Sequence, residues 1–144
     1  MASLTLEPAA ADHEYAERLL RRNDLPSADI GETQVTVYRG TVEGEPIGIG
    51  GIEERGERGL LRSVVVEKSH RGRGYGGKLC AALETHARES GINGLYLLTA
   101  TAAEFFDAQG YVTVERASVP EAIRETAQFE ELCPASATCM CKSL

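Results

Sequence analysis

The chain has 144 residues, 42% of them hydrophobic and 26% charged, which predicts one globular domain over 1–144 with no room for a second. The net charge of −7 argues against nucleic acid as a partner in the absence of a long basic face. No apolar run approaches the ~20 residues that span a bilayer, and the N-terminus lacks signal-peptide features, so we expect no membrane partner. Four cysteines in a chain of this length do not require disulfides, which favours a cytoplasmic protein.

The first half of the chain predicts a strand, a helix, a hairpin and a further strand. Alternation over 4–6 predicts the first strand, and a helix follows from the N-cap residue Asp12. Two alternating segments, 35–42 and 47–54, are separated by a Gly-Glu-Pro turn and predict the hairpin. A glycine-rich turn then leads into the strand at 60–66.

The second half predicts alternating helices and strands. In chain order these are a helix at 74–90, stopped by Gly91, a strand at 95–99, a short helix at 102–109, a strand from Tyr111, a helix from Pro120 to Leu132 and a strand at 138–142. Strands joined by crossover helices imply an α/β fold with a mixed sheet.

The most informative stretch joins the strand at 60–66 to the helix at 74–90. Its glycines and cations lead directly into the first turn of the helix, where backbone N–H groups and the helix dipole attract anions. Glycines let a phosphate approach closely, so we predict binding of a pyrophosphate-bearing cofactor. The residues expected to bind it are Arg71, Gly72, Arg73, Gly74, Tyr75, Gly76 and Gly77.

The spacing of these glycines excludes two common nucleotide motifs. The loop is neither Gly-x-x-x-x-Gly-Lys-[Ser/Thr] nor the dinucleotide motif Gly-x-Gly-x-x-Gly. Taken alone, the loop has a flexible basic loop as its alternative interpretation. Arg71-x-x-Gly74-x-Gly76, between a strand and a helix, resembles the acetyl-CoA-binding motif of the GCN5-related N-acetyltransferases (GNAT superfamily). The segments 95–99 and 103–111 look like the next strand and helix of that superfamily.

This resemblance implies an acyl-CoA N-acyltransferase fold, in which a mixed, mostly antiparallel central sheet is flanked by helices. It also implies acetyl-CoA as cosubstrate, a small-molecule amine as acceptor and no required metal. Homodimers are common in the superfamily, and no sequence feature decides whether this chain forms one. Short stretches such as Leu132-Cys133-Pro134 look like the arsenic-resistance N-acetyltransferases, the ArsN group, and 61–63 resembles the acetyltransferase domain of N-acetylglutamate synthase.

In the resembling superfamily the amine attacks the thioester directly, while the cofactor lies between two splayed strands. Val64, Val65 and Val66 would then contact the cofactor, and their backbone N–H groups could bind the oxyanion if the strand bulges there; otherwise this is an ordinary strand. A carboxylate on the neighbouring strand would take the proton of the amine. Glu53 and Glu54 lie on opposite faces, and we favour Glu53 over the alternative of a solvated strand-end carboxylate.

The leaving thiolate needs a proton, and many superfamily members use a Tyr for this. That position is Phe106 here, so either the thiolate leaves unassisted or Ser63 or Thr101 donates through water. Arg62 is a cation within an otherwise apolar strand, where burial without a partner is costly. It lies either on an exposed strand face or, as we favour, binds a carboxylate of an amino-acid-like substrate.

Three late cysteines support a rival interpretation. Cys133, Cys139 and Cys141 could bind a soft metalloid ion, although they lack a Cys-x-x-Cys zinc knuckle, and buried cysteines are usually apolar core residues. The sequence therefore favours an acetyl-CoA-dependent N-acetyltransferase of a small, amino-acid-like amine, with a role in arsenic resistance as one setting. The alternatives are acetylation of glutamate and a non-catalytic, thiol-based metalloid-binding protein on the same scaffold.

Overall fold

A seven-stranded sheet organises the computed structural model, which describes residues 4–8, 13–22, 35–126 and 137–144. The strands are β1 (Leu4–Pro8), β2 (Val35–Val42), β3 (Glu45–Arg55), β4 (Arg58–Val66), β5 (Gly94–Thr99), β6 (Val112–Thr113) and β7 (Thr138–Ser143). The α-helices in these ranges are α1 (His13–Arg22), α2 (Tyr75–Glu89), α3 (Ala103–Ala108) and α4 (Glu121–Arg124). Short 3₁₀ helices lie at Lys68–His70 and Arg116–Ser118.

The strand order is β1-β2-β3-β4-β5-β7-β6, and every neighbouring pair is antiparallel except β4 and β5. Those two strands are parallel because α2 connects them as a crossover helix. The mixed, mostly antiparallel sheet flanked by helices is therefore confirmed.

Helices cover both faces of the sheet. On one face, Leu79 and Leu83 of α2 pack with Ile52 of β3 and Leu61 of β4 in the largest apolar cluster. A side chain at Gly50 would place its Cβ only 2.3 Å from Leu83, so α2 packs directly on the β3 backbone. The N-terminus of α2 lies beside the carboxyl end of β4, where a Cβ on Gly76 would be 3.8 Å from the Val66 side chain.

The other face has two smaller apolar clusters. Leu19 and Leu20 of α1 pack against β2, β3 and β4, while Ile123 of α4 packs against Leu60 of β4 and Cys139 of β7. Charged residues described below lie on this same face, between the two clusters. Among the described residues, no helix is both long and apolar enough to cross a membrane.

Several predicted boundaries need correction. The β2–β3 turn is formed by Glu43 and Gly44, both with positive φ (53° and 81°), so Pro46 lies within β3 and not in the turn. The strand predicted from Tyr111 has only two residues, 112–113. The helix predicted from Pro120 to Leu132 ends at Arg124, where Thr126 Oγ1 donates to the carbonyl of Ile123 in place of a continued helical turn.

Three predictions fall on residues that the structure does not describe. These are the Asp12 cap, the segment 127–132 of the predicted helix, and Cys133.

Candidate active site

A cleft opens where β4 and β5 separate. The two strands pair only from Arg58 opposite Gly94 to Leu60 opposite Tyr96, although β4 runs on to Val66 and β5 to Thr99. The end of β4, the glycine-rich loop, the first turn of α2, the residues just after β5 and α3 with the following Gln109 line a cavity of about 660 Å³. The lining residues are Val64, Val65, Val66, His70, Arg71, Gly72, Gly74, Tyr75, Gly76, Gly77, Thr101, Ala102, Phe105, Phe106 and Gln109.

The cleft brings together all the residues predicted to bind cofactor except Arg73. Arg73 is exposed in the same loop but does not line the cavity. The sequence analysis placed Phe106 at the position of the usual Tyr but did not assign Phe105 or Gln109, which also line this wall, to the cofactor site. The contact between α3 and the glycine loop joins segments about 30 residues apart in the chain, and no local sequence pattern predicts such a contact.

A β-bulge interrupts β4 beside the cleft. Ile49 of β3 lies opposite Val65, but Gly51 lies opposite Arg62, so Ser63 and Val64 together face the single residue Gly50. Ser63 has a φ of 59°, which is rare for a residue with a side chain. The bulge that would free backbone N–H groups for an oxyanion is therefore present, and β4 is not an ordinary, regularly paired strand at this point.

The glycine loop presents the N-terminus of α2 to the cleft. Gly74, at a φ of 79°, precedes the first helical residue without a side-chain cap, and the first helical bond runs from the N–H of Lys78 to the carbonyl of Gly74. The N–H groups of residues 75–77 consequently have no partner within the helix. Arg71 Nε donates to the carbonyl of Val66 at 3.0 Å and ties the loop to the end of β4. With no acidic residue in the first turn, this end of the cleft is suited to an anion.

Two glycines of α2 allow α3 to pack closely against it. A Cβ on Gly76 would lie 3.1 Å from the ring of Phe105, and one on Gly77 would lie 3.3 Å from the Gln109 side chain. The ring of Phe106 meets that of Phe105 edge-on at 5.1 Å and supplies no hydroxyl. Of the two predicted substitutes for a Tyr, Thr101 lines the cleft and Ser63 does not.

Glu53, Arg62 and Ser63 form a separate polar cluster on the sheet face that carries α1 and α4. Glu53 is only 2% exposed while Glu54 is exposed, so the predicted alternation is confirmed and a solvated Glu53 is wrong. Oε2 of Glu53 accepts hydrogen bonds from Arg55, with Nε at 3.0 Å. Its other oxygen, Oε1, is buried with no hydrogen-bond partner among the described residues.

Arg62 connects Glu53 to the bulge. Its side chain is fully buried, which rules out the exposed strand face, and its Nη1 lies 3.6 Å from Glu53 Oε1. Its Nε donates to Ser63 Oγ at 3.2 Å. The predicted substrate-binding and catalytic residues thus form one connected group, but this group does not line the cavity of the glycine loop.

Two of the three described thiols, Cys80 and Cys139, are buried core residues, whereas Cys141 is half-buried. Burial raises the pKa of Cys80 to about 12, with a smaller contribution from Glu84 and a partial opposing effect of Lys142. Burial also raises the pKa of Cys139; the nearby Arg116 partly opposes this rise, and Cys141 adds a smaller increase. In the described ranges no group of three His, Cys, Asp or Glu residues could hold a metal ion, but Cys133 lies outside them.

Residues 4–111 match the model of the acetyltransferase (GNAT) family. The chain belongs to this family. The GNAT fold expected from the sequence is therefore confirmed. No curated protein matches the chain in sequence.

Solved structures with the same fold cover all or nearly all of the chain at low identity. N-acetylglutamate synthase from Neisseria gonorrhoeae, complexed with coenzyme A and L-arginine, is 19% identical with a TM-score of 0.81; the match covers 100% of this chain and 34% of the synthase. This chain thus spans about a third of that protein. Rv2747 from Mycobacterium tuberculosis, in complex with CoA, is 19% identical with a TM-score of 0.77, covering 97% of this chain and 99% of the other.

An aminoglycoside 6′-N-acetyltransferase complexed with coenzyme A is 15% identical with a TM-score of 0.70, and the match covers 96% of both chains. At these identities the likeness establishes the fold and leaves the acceptor open.

Proposed function

We propose that this chain is an acetyl-CoA-dependent N-acetyltransferase. Acetyl-CoA would bind in the cleft between β4 and β5, with its pyrophosphate on the loop at 71–77. The observation that carries this proposal is the glycine-lined N-terminus of α2 at the mouth of a cleft whose wall strands have separated. The pyrophosphate would accept hydrogen bonds from the first-turn N–H groups. The pantetheine arm would lie along Val64 to Val66 and bring the thioester to the bulge.

The bulge supports a role in transition-state stabilisation. When the amine attacks, the carbonyl oxygen of the thioester becomes an oxyanion that needs N–H donors already in place. A bulge leaves ladder groups of β4 without strand partners at this point. The intermediate then collapses, the carbon–sulfur bond breaks, and the CoA thiolate takes a proton. We propose Thr101, acting through water, as the proton donor, because Thr101 lines the cleft and Phe106 has no hydroxyl group.

For the acceptor we propose a small amine that also carries a carboxylate. Glu53 and Arg62 are a buried carboxylate and a buried guanidinium side by side, which complement the two charged groups of an amino acid. Oε1 of Glu53 is free of hydrogen bonds among the described residues and could take the ammonium proton. Arg62, which directly precedes the bulge on β4, would bind the carboxylate. Glu53 lies three residues along β3 from Gly50, the residue opposite the bulge.

Two finer identities follow from the sequence resemblances. One is glutamate, because the architecture matches a synthase that has also been solved with N-acetyl-glutamate. The other is an arsenic-containing amino acid, supported by the ArsN-like stretches around Leu132 and Phe106. Both carry a carboxylate beside an amine, so both agree with the pair formed by Glu53 and Arg62.

Thiol release from acetyl-CoA tests the proposal. We would screen glutamate, other amino acids, an arsenic-containing amino acid and the decarboxylated amine of each hit. We expect turnover with at least one amino acid and a large rise in KM for its decarboxylated counterpart. Tight binding of trivalent arsenic with no turnover of any amine would instead favour the metalloid-binding alternative.

A further inference from the structure

Lys142 of β7 bridges the two helices that form the walls of the cleft. Its Nζ donates to Oε1 of Glu84 on α2 at 2.8 Å and to the carbonyl of Gln109, just after α3, also at 2.8 Å. The same Nζ lies 5.7 Å from the centre of the Tyr111 ring. One cation thus contacts α2, the end of α3 and the sheet together.

The residues around this bridge shield it from solvent and leave room for the lysine side chain. The side chain of Glu84 is 9% exposed and that of Lys142 is 26% exposed, so solvent screens their attraction only in part. Gly110 has a φ of 97°, and a Cβ there would lie 3.3 Å from Lys142 Cε. A side chain at this position would press on the lysine, so the glycine leaves the space that the lysine occupies.

Helix α3 depends on such an external contact. It has six residues, too few to be stable by its own hydrogen bonds. The Gln109 carbonyl lies at its C-terminal end, where a cation is favourable because of the helix dipole. Phe105, Phe106 and Gln109, which line the cleft, all lie on this helix or at its end.

We propose that Lys142 is a positioning residue, which fixes α3 against α2 through Glu84 and Gln109 and so sets the width of the acetyl-CoA cleft. This inference rests on the proposed binding of acetyl-CoA in that cleft. Lys142 does not line the cavity and acts only through the helices that do.

The test is Lys142→Met, which keeps the apolar stem and removes the cation. We expect the affinity for CoA, measured by titration calorimetry, to fall about tenfold, or about 1.4 kcal/mol. The KM for acetyl-CoA should rise by a similar factor, with kcat at saturation changed less than threefold. Amide hydrogen exchange over 103–110 should become faster in the free variant, while exchange in β2 and β3 stays unchanged.

Two variants separate this role from a general loss of stability. Lys142→Arg retains a cation with several N–H donors and should restore CoA affinity to within threefold of wild type. Arg39→Met breaks the ion pair with Glu7, 2.7 Å long, at the far edge of the sheet and should leave CoA affinity unchanged. If Lys142→Met does not fold, Glu84→Gln weakens the same bridge and should lower the affinity about threefold.

Wild-type affinity in a folded Lys142→Met protein would overturn the inference while leaving the proposed function intact. An equal loss of affinity in Arg39→Met would also overturn it, because the effect would then be one of stability alone. If the wild-type protein itself does not bind CoA, the proposed function fails, and the inference fails with it.

Discussion

Replacing Gly74 by Glu should weaken the binding of acetyl-CoA by placing a carboxylate beside the proposed pyrophosphate site. Gly74 precedes α2 with a φ of 79°, and a Cβ there would meet no atom within 4 Å. The new side chain therefore fits without a clash, and the variant pays only the cost of a left-handed backbone, about 1–2 kcal/mol. That cost lowers stability equally in the free and bound protein, so it cancels in the binding constant.

The effect on binding is then mainly electrostatic. A carboxylate about 6 Å from a pyrophosphate with two charges costs about 1.4 kcal/mol at the dielectric constant of water. This corresponds to a tenfold loss of affinity, and a lower local dielectric constant would increase it. Because the Debye length is about 10 Å at 0.1 M salt, the loss should shrink as salt is added.

Titration calorimetry with CoA at several salt concentrations measures this loss. Gly74→Gln has the same backbone strain without the charge and should bind within about threefold of wild type. Gly56→Glu is a matched control, since Gly56 also has a positive φ of 70° with no atom near its Cβ. It lies in the β3–β4 turn, at the end of β4 away from the loop, roughly 26 Å along that strand.

Unchanged affinity in a folded Gly74→Glu protein would refute the assignment of the pyrophosphate to this loop. An equal loss in Gly56→Glu would refute the electrostatic reasoning, because charge far from the cleft should be screened.

Three further outcomes are expected. Arg62→Leu should raise the KM for an amino-acid acceptor and abolish the preference for that acceptor over its decarboxylated amine. It should also lower the free energy of unfolding, measured in urea, by about 3 kcal/mol, because Glu53 loses a buried partner. A variant that still prefers the amino acid over the amine would make the role of Arg62 purely structural. Replacing Cys133, Cys139 and Cys141 by Ser or Ala should leave acetyl transfer near wild type in steady-state assays, whereas tight binding of trivalent arsenic that these replacements abolish would indicate a metalloid site. The free energy of unfolding should fall from pH 9 to 11, because Cys80 keeps its proton up to about pH 12 when folded and releases it near pH 9 when unfolded. This thiol alone accounts for about 2.7 kcal/mol at pH 11, so urea titrations of Cys80→Ala should show a shallower decline; an identical decline would assign the effect to other groups.

The elements that the sequence predicted well are those set by neighbouring residues. The apolar repeat of Leu79, Leu83 and Ala87 predicted α2, and Gly91, with a φ of 92°, ends it as expected. The glycine loop before α2 was predictable because positive φ angles at Gly72 and Gly74 are a local property of the backbone. Alternation likewise separated the buried Glu53 from the exposed Glu54.

The length of α4 and the position of Pro46 were predicted wrongly because each depends on contacts that the local sequence pattern does not show. Pro120 marks where a helix can begin, but the sequence has no clear local signal that would end the helix at Arg124. Here the side chain of Thr126 bonds back to Ile123 and closes the last turn. Pro46 is tolerated in β3 because it lies beside a register shift at Gly40 and Thr41 of β2. That shift belongs to the pairing with β2, and the residues around Pro46 give no sign of it.

Only the tertiary structure decided the candidate site itself. The separation of β4 from β5 after Leu60 depends on pairing between strands that α2 keeps apart in the chain. The pairing of Arg62 with Glu53 and the bridge from Lys142 to Glu84 join residues that no periodicity relates. Hydrophobic spacing and glycine content report on residues two to four positions apart, and so the sequence determined the cofactor loop and the elements around it. The width of the cleft and the partners of its buried charges depend on contacts between distant segments, which form only when the chain is folded.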